Sequence, residues 1–181
     1  MNYLNKISNI QDYFLDNFDQ YVEMIIYTAV CFFVPLLMGH PQIVVGVLVN
    51  TMLIVAALNL KGAKLLPVIL VPSLGVLTRG IIFGPFTIFL VYMIPFIWIG
   101  NAILVYAFKW LKLHLNWNYA LTLGIGSAVK AGFLFLSALV MYKLGFVPVI
   151  FLTAMGLVQL ITALIGGIMA FGFHETKKWL S

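Results

Sequence analysis

The stretch YALTLGIGSAVKAGFLFLSALVMY, residues 119–142, decides the fold. It is long enough to cross the ~30 Å hydrocarbon layer of a bilayer as one helix, and its single charge, Lys130, stands at the middle. A lysine about 18 Å along a helix from either end is too deep to snorkel fully to the headgroups. At that depth it costs roughly 2.5–3.5 kcal/mol on insertion scales. All five acids lie towards the ends of the chain, as Asp12, Asp16, Asp19, Glu23 and Glu175. The apolar part of the sequence therefore offers Lys130 no carboxylate. Its counter-charge is expected to be a ligand, a partner subunit, or a set of carbonyl and hydroxyl dipoles.

Working outward, the same apolar character fills the chain. Of 181 residues, 64% are hydrophobic and 8% charged, with a mean hydropathy of +1.11. At ~20 residues per crossing there is room for about six spans. They read as 22–38, 43–60, 65–78 (extendable to Phe83), 86–108, 119–142 and 146–173. The expected fold is an all-α membrane protein, a compact bundle of six transmembrane helices over 22–181. Residues 1–21 form a separate segment whose Tyr3, Ile7, Ile10, Phe14, Phe18 and Tyr21 recur at helical spacing. That spacing predicts an amphipathic helix lying in the membrane interface, the alternative being a frayed or partner-dependent segment. The segment is polar and acidic and does not read as a cleavable signal peptide.

Orientation follows from the basic residues. With the N-terminus inside, the cytoplasmic side carries Lys6, Lys61, Lys64, Lys109, Lys112, Lys177 and Lys178, and the outer side only Arg79 and Lys143. This bias predicts a cell-membrane protein with both termini cytoplasmic. The net charge of +5 is spread singly, so no nucleic-acid partner is expected. The single cysteine, Cys31, excludes an intrachain disulfide and a CxxC motif. It reads as a small buried thiol. No internal repeat relates the first three spans to the last three, which argues against an inverted-repeat transporter.

Enzyme signatures are weak. Ser127, in Gly124-Ile125-Gly126-Ser127, resembles an intramembrane nucleophile, but His40, His114 and His174 all belong near span ends and outside hydrogen-bonding reach. His174-Glu175 lacks the second histidine of a zinc motif, Lys178 standing in its place. No enzyme, cofactor or metal is expected.

Polar groups at membrane depth must be satisfied by protein or by cavity water. Asn50, Asn101, Lys130 and Gln159 are the clearest, with Asn50 set shallower than the rest. Thr122, Gly126, Ser127, Lys130 and Ser137 share one helix face, Trp98 and Asn101 a second, Gln159 and Thr162 a third. Asn and Gln also serve as plain interhelical hydrogen-bonding groups. Gly124, Ala128 and Gly132 are expected to allow close helix packing. The connections around Gly39-His40-Pro41-Gln42 and Thr78-Arg79-Gly80 through Gly84-Pro85 either line a site or simply turn the chain, with Arg79 then anchored to headgroups.

The stretches Pro72-Ser73-Leu74-Gly75 to Phe83-Gly84-Pro85 and Pro95-Phe96-Ile97-Trp98-Ile99-Gly100-Asn101, in a six-span chain of this size, resemble the S components of energy-coupling factor transporters. The resemblance implies capture of a vitamin or similar micronutrient near the outer face. It also implies docking on a transmembrane coupling subunit and release driven by two cytoplasmic ATPases. One departure is that Ala29 is followed four residues later by Phe33, where many members carry a second alanine for docking. The expected site uses Lys130 for charge, Asn101 and Gln159 for hydrogen bonds, Trp98 as a stacking or apolar wall, and His40, Gln42 and Arg79 as an outer gate. The rival readings are an oligomeric channel or facilitator with Lys130 as an anion-selective ring, and an assembly subunit in which Lys130 meets an acid on another chain.

Overall fold

A computed structural model describes residues 3–12, 15–38, 42–83 and 87–180. Among them run α1 (Tyr3–Ser8), α2 (Asn17–Met38), α3 (Gln42–Asn59), α4 (Leu65–Phe83), α5 (Thr87–Ala107), α6 (Tyr119–Lys143), α7 (Ile150–Met155) and α8 (Leu157–Leu180). Six segments are long and apolar enough to cross a membrane: α2, α3, α4, α5 with its continuation, α6, and α7 with α8. Large apolar side chains stand exposed around the whole bundle, among them Ile25 at 61%, Leu66 at 54%, Leu136 at 60% and Ile168 at 67%. A surface apolar on every side suits lipid rather than water, and the chain is a multi-pass membrane protein.

The helix at the centre is α3, which packs against α2, α4, α5 and α8. Two glycines let backbones close on it and on its neighbour. A Cβ on Gly166 of α8 would lie 2.7 Å from the Val47 carbonyl oxygen of α3, and one on Gly75 of α4 would lie 2.4 Å from that of Phe32 in α2. Cys31 is fully buried in the core formed by these helices.

The stripe Gly124, Ala128 and Gly132 does not pack as expected. A Cβ at Gly124 or Gly132 meets nothing within 4 Å, and Ala128 is exposed. The reason is rotational. Thr122, Gly126, Ser127 and Lys130 turn inward on α6, and residues two positions further along stand ~200° round the helix. Burial of the polar face carries the small one outward.

Three further expectations change. The single amphipathic helix over 1–21 is interrupted: α1 stops at Ser8, residues 9–12 are non-helical, and α2 already begins at Asn17. The carbonyls at the end of α3 take over the pairing. The Asp12 amide donates to Leu58 O at 3.1 Å, the Gln11 side chain donates to Asn59 O, and Ile7 is buried. Helix C-termini leave such carbonyls unsatisfied, so a neighbouring segment is drawn in to cover them. The boundary at residue 21 therefore falls within a helix. The fourth span runs past 108 through a π-helical turn, Phe108–His114. The sixth is divided at Gly156, where a side chain would meet Leu152 O and Phe135, each at 2.9 Å.

Candidate functional site

The Lys130 ammonium is solvated from inside the chain. Its Nζ donates to Asn50 Oδ1 at 2.6 Å and to Asn101 Oδ1 at 3.0 Å. The residue is 1% exposed, and among the described residues it has no carboxylate partner. Amide oxygens are the natural alternative, since they bring a large dipole without a second charge to desolvate.

Each asparagine is held in that orientation by its other end. Asn50 Nδ2 donates one helical turn back to Gly46 O at 2.9 Å and across to Thr162 Oγ1 at 3.2 Å, and Thr162 in turn donates to Gln159 O. Asn101 Nδ2 donates to Ile69 O at 3.0 Å. That acceptor lies in the turn of α4 that leads into Pro72. The adjacent Leu70 O accepts from Ser73 Oγ at 2.8 Å and from Trp98 Nε1 at 3.0 Å. Trp98 Nε1 also donates to Ser73 Oγ at 2.7 Å. Side chains of α5 thus bond carbonyls of α4, and Ile69 O fixes the amide that faces the lysine.

Above this network lies a cavity of about 230 Å³. Pro35 of α2, Val49 of α3, Val76 of α4, Ile97 of α5 and Val158 of α8 contribute to its walls, and Lys130, Asn50 and Asn101 line it as well. Exposed Gln42 and half-buried Arg79 line the same space. The Arg79 Nη1 donates to Leu36 O at 3.1 Å and Leu37 O at 3.2 Å, so a cation meets the negative end of the α2 dipole.

Of the residues expected from the sequence, the structure brings Lys130, Asn101, Gln159, Gln42 and Arg79 to one cavity. Trp98 is not among the lining residues and is not a wall. Its indole is committed to Ser73 and Leu70, and it positions Ser73, which does line the cavity. His40 lies outside the described residues. The sequence sets Asn50 shallower than Lys130, yet the structure brings the two into contact. Residue counting along α3 and α6 assumes a common level that packed helices do not keep. The usable signal was chemical: a lysine without acids requires oxygen dipoles, and few amides are available at depth.

The opposite end of the bundle is tied together by polar contacts among the described residues. Lys109, 0% exposed, donates to Leu60 O at 2.6 Å and to Ile10 O. His174 pairs with Asp12. Asn59 Nδ2 donates to Glu23 Oε2 and Tyr27 Oη, each at 3.0 Å. Ser127 is fully buried on α6, while His174 is engaged with Asp12 at this end. Comparisons with protein-family models, curated proteins and solved structures find no match to the chain.

Proposed function

We propose that this chain is a membrane-embedded substrate-capture subunit of an ATP-driven importer of the energy-coupling factor type, serving a small polar or anionic micronutrient. It sits in the cell membrane with both termini cytoplasmic and the cavity facing outward. It delivers its cargo by docking on a transmembrane coupling subunit powered by cytoplasmic ATPases. The observation that carries the reading is a cavity lined by Gln42 and Arg79 as well as by a lysine with no carboxylate partner among the described residues, in a bundle where residues 10–12 and Lys109 bond the far end of α3. A cavity with a bonded end behind it suits capture more than free permeation, which weighs against a channel. Lys130 is solvated by Asn50 and Asn101 within its own chain, which weighs against an assembly subunit waiting for a partner's acid.

Native mass spectrometry of the purified chain tests this. One small occupant per chain is the expected result. A chain that arrives empty and conducts ions in sealed liposomes without nucleotide is a channel instead. Reporter fusions at Ser181 and after Gly62 are expected on the cytoplasmic side, and one at Leu144 outside; a reversal at any of the three breaks the topology.

A further inference from the structure

We infer that the cavity takes a small aliphatic monocarboxylate, head down on Lys130 with its hydrocarbon body against the walls. The inference rests on the capture reading and names the class of cargo.

The charge comes first. The floor holds one cation with no carboxylate partner among the described residues, and two of its three N–H groups are used by Asn50 and Asn101. One N–H remains for an occupant, and one negative charge balances the floor; the second cation that lines the cavity, Arg79, is half-buried and held by Leu36 O and Leu37 O. A second negative charge placed at the floor is uncompensated there, and a cation adds to the lysine's charge; both are expensive in a low-dielectric pocket.

The supply of hydrogen bonds is the second constraint. Asn50 Nδ2 is bonded to Gly46 O and Thr162 Oγ1, and Asn101 Nδ2 to Ile69 O. Thr162 donates to Gln159 O and Ser73 to Leu70 O. The donors left at depth are the third Lys130 N–H and the Gln159 side-chain amide, which forms no hydrogen bond among the described residues. A polyol or peptide would bring many groups to a floor with two partners, and each unmatched group loses its water without replacement. A carboxylate head needs no more than the floor offers.

The walls supply the third. The described lining is aliphatic, with Val45, Val49, Val76, Ile97 and Val158, and includes no aromatic ring. Among the described residues the lining offers no stacking surface for a planar heterocycle. The volume, about 230 Å³, equals on the order of eight waters at ~30 Å³ each. This suits a short hydrocarbon body.

The experiment uses the purified full-length chain in detergent, with butanoate, hexanoate, octanoate and hexadecanoate as probes. Hexanamide, hexylamine, adipate and chloride are the controls, and binding is read by calorimetry and thermal shift. Affinity is expected to rise about fourfold per added methylene until the cavity is full, and then to fall. Hexanamide, hexylamine, adipate and chloride are each expected to bind at least tenfold more weakly than hexanoate. Lys130→Met is expected to lose about 30-fold or more in hexanoate affinity, as when one partner of a buried charge pair is removed. Val76→Trp fills the cavity without touching Lys130 or its amides, and is also expected to lose hexanoate. Several results overturn the inference: hexanamide equal to hexanoate, adipate or chloride equal to hexanoate, both variants binding like wild type, or affinity still rising through hexadecanoate, the signature of a lipid tail. A stoichiometric co-purified occupant of another charge class overturns the monocarboxylate and leaves capture standing. Saturable hexanoate binding together with rapid nucleotide-free hexanoate flux through liposomes does the reverse.

Discussion

Lys109 and Lys130 are both withdrawn from solvent, at 0% and 1% exposure, yet different oxygens solvate them. Lys109 holds backbone carbonyls, Ile10 O from the N-terminal strap and Leu60 O from the end of α3. Such carbonyls at a helix C-terminus carry partial negative charge and have no intrahelical partner. The lysine and the helix end therefore satisfy one another, and the product is a clasp. Lys130 holds two side-chain amides whose own positions depend on α3, α4 and α8, and it lines a cavity. Its network is complete enough to keep the charge buried, with one donor left over. The contrast is between a cation held by side-chain amides beside open volume and one held by backbone helix ends; under the capture reading the first is a site and the second a fastener.

The largest expected effect tests the clasp. Lys109→Met removes two charge-assisted hydrogen bonds, each worth ~1.5–3 kcal/mol, against some relief from burying a charge. A net loss of about 3 kcal/mol is expected, with faster hydrogen exchange at residues 5–12 and hexanoate affinity close to wild type in the folded fraction. If exchange at the strap is unchanged, Lys109 does not hold it and the comparison loses one side.

Next comes Asn101→Leu, which leaves Lys130 with one acceptor and Ile69 O without its side-chain donor. About 2 kcal/mol of destabilisation is expected. In the double variant with Lys130→Met most of this loss should disappear, because the leucine no longer faces a buried charge; additive losses in that cycle break the proposed coupling.

Lys130→Met alone is expected to change stability by ~1 kcal/mol or less in either direction. The desolvated charge disappears, while Asn50 Oδ1 and Asn101 Oδ1 lose their donor. A drop as large as that of Lys109→Met, measured by the same melting experiment, makes Lys130 a fastener too.

The smallest effect checks the outward face of α6. Gly124→Ala places a methyl where nothing lies within 4 Å, so a gain of about 0.4–1 kcal/mol from backbone entropy is expected. A loss on melting shows that another chain packs there.

How far the sequence carries can be judged on particular residues. Six apolar runs, the isolation of Lys130 and the absence of acids at depth were all legible, because length, hydropathy and charge are local properties that the bilayer reads directly. By sequence Lys109 is one of several cations on the cytoplasmic side, yet the helix continues through Phe108–His114 and buries it. Nothing in its neighbours distinguishes it from Lys112. The strap was read as an amphipathic helix because Ile7 and Ile10 have the right spacing; the open carbonyls of α3 that break the helix lie ~50 residues away in the chain.

What the sequence by itself determined is thus the membrane class, the number of crossings and the one charge that requires an explanation. The tertiary structure decided who answers that charge. Asn50 and Asn101 meet Lys130 from positions 80 and 29 residues distant, with Asn101 held by Ile69 O of α4 and the approach of α3 to α8 permitted at Gly166. Hydrogen bonds are short-ranged and directional. Their pairing depends on helix rotation and tilt, which arise only when all the helices pack together.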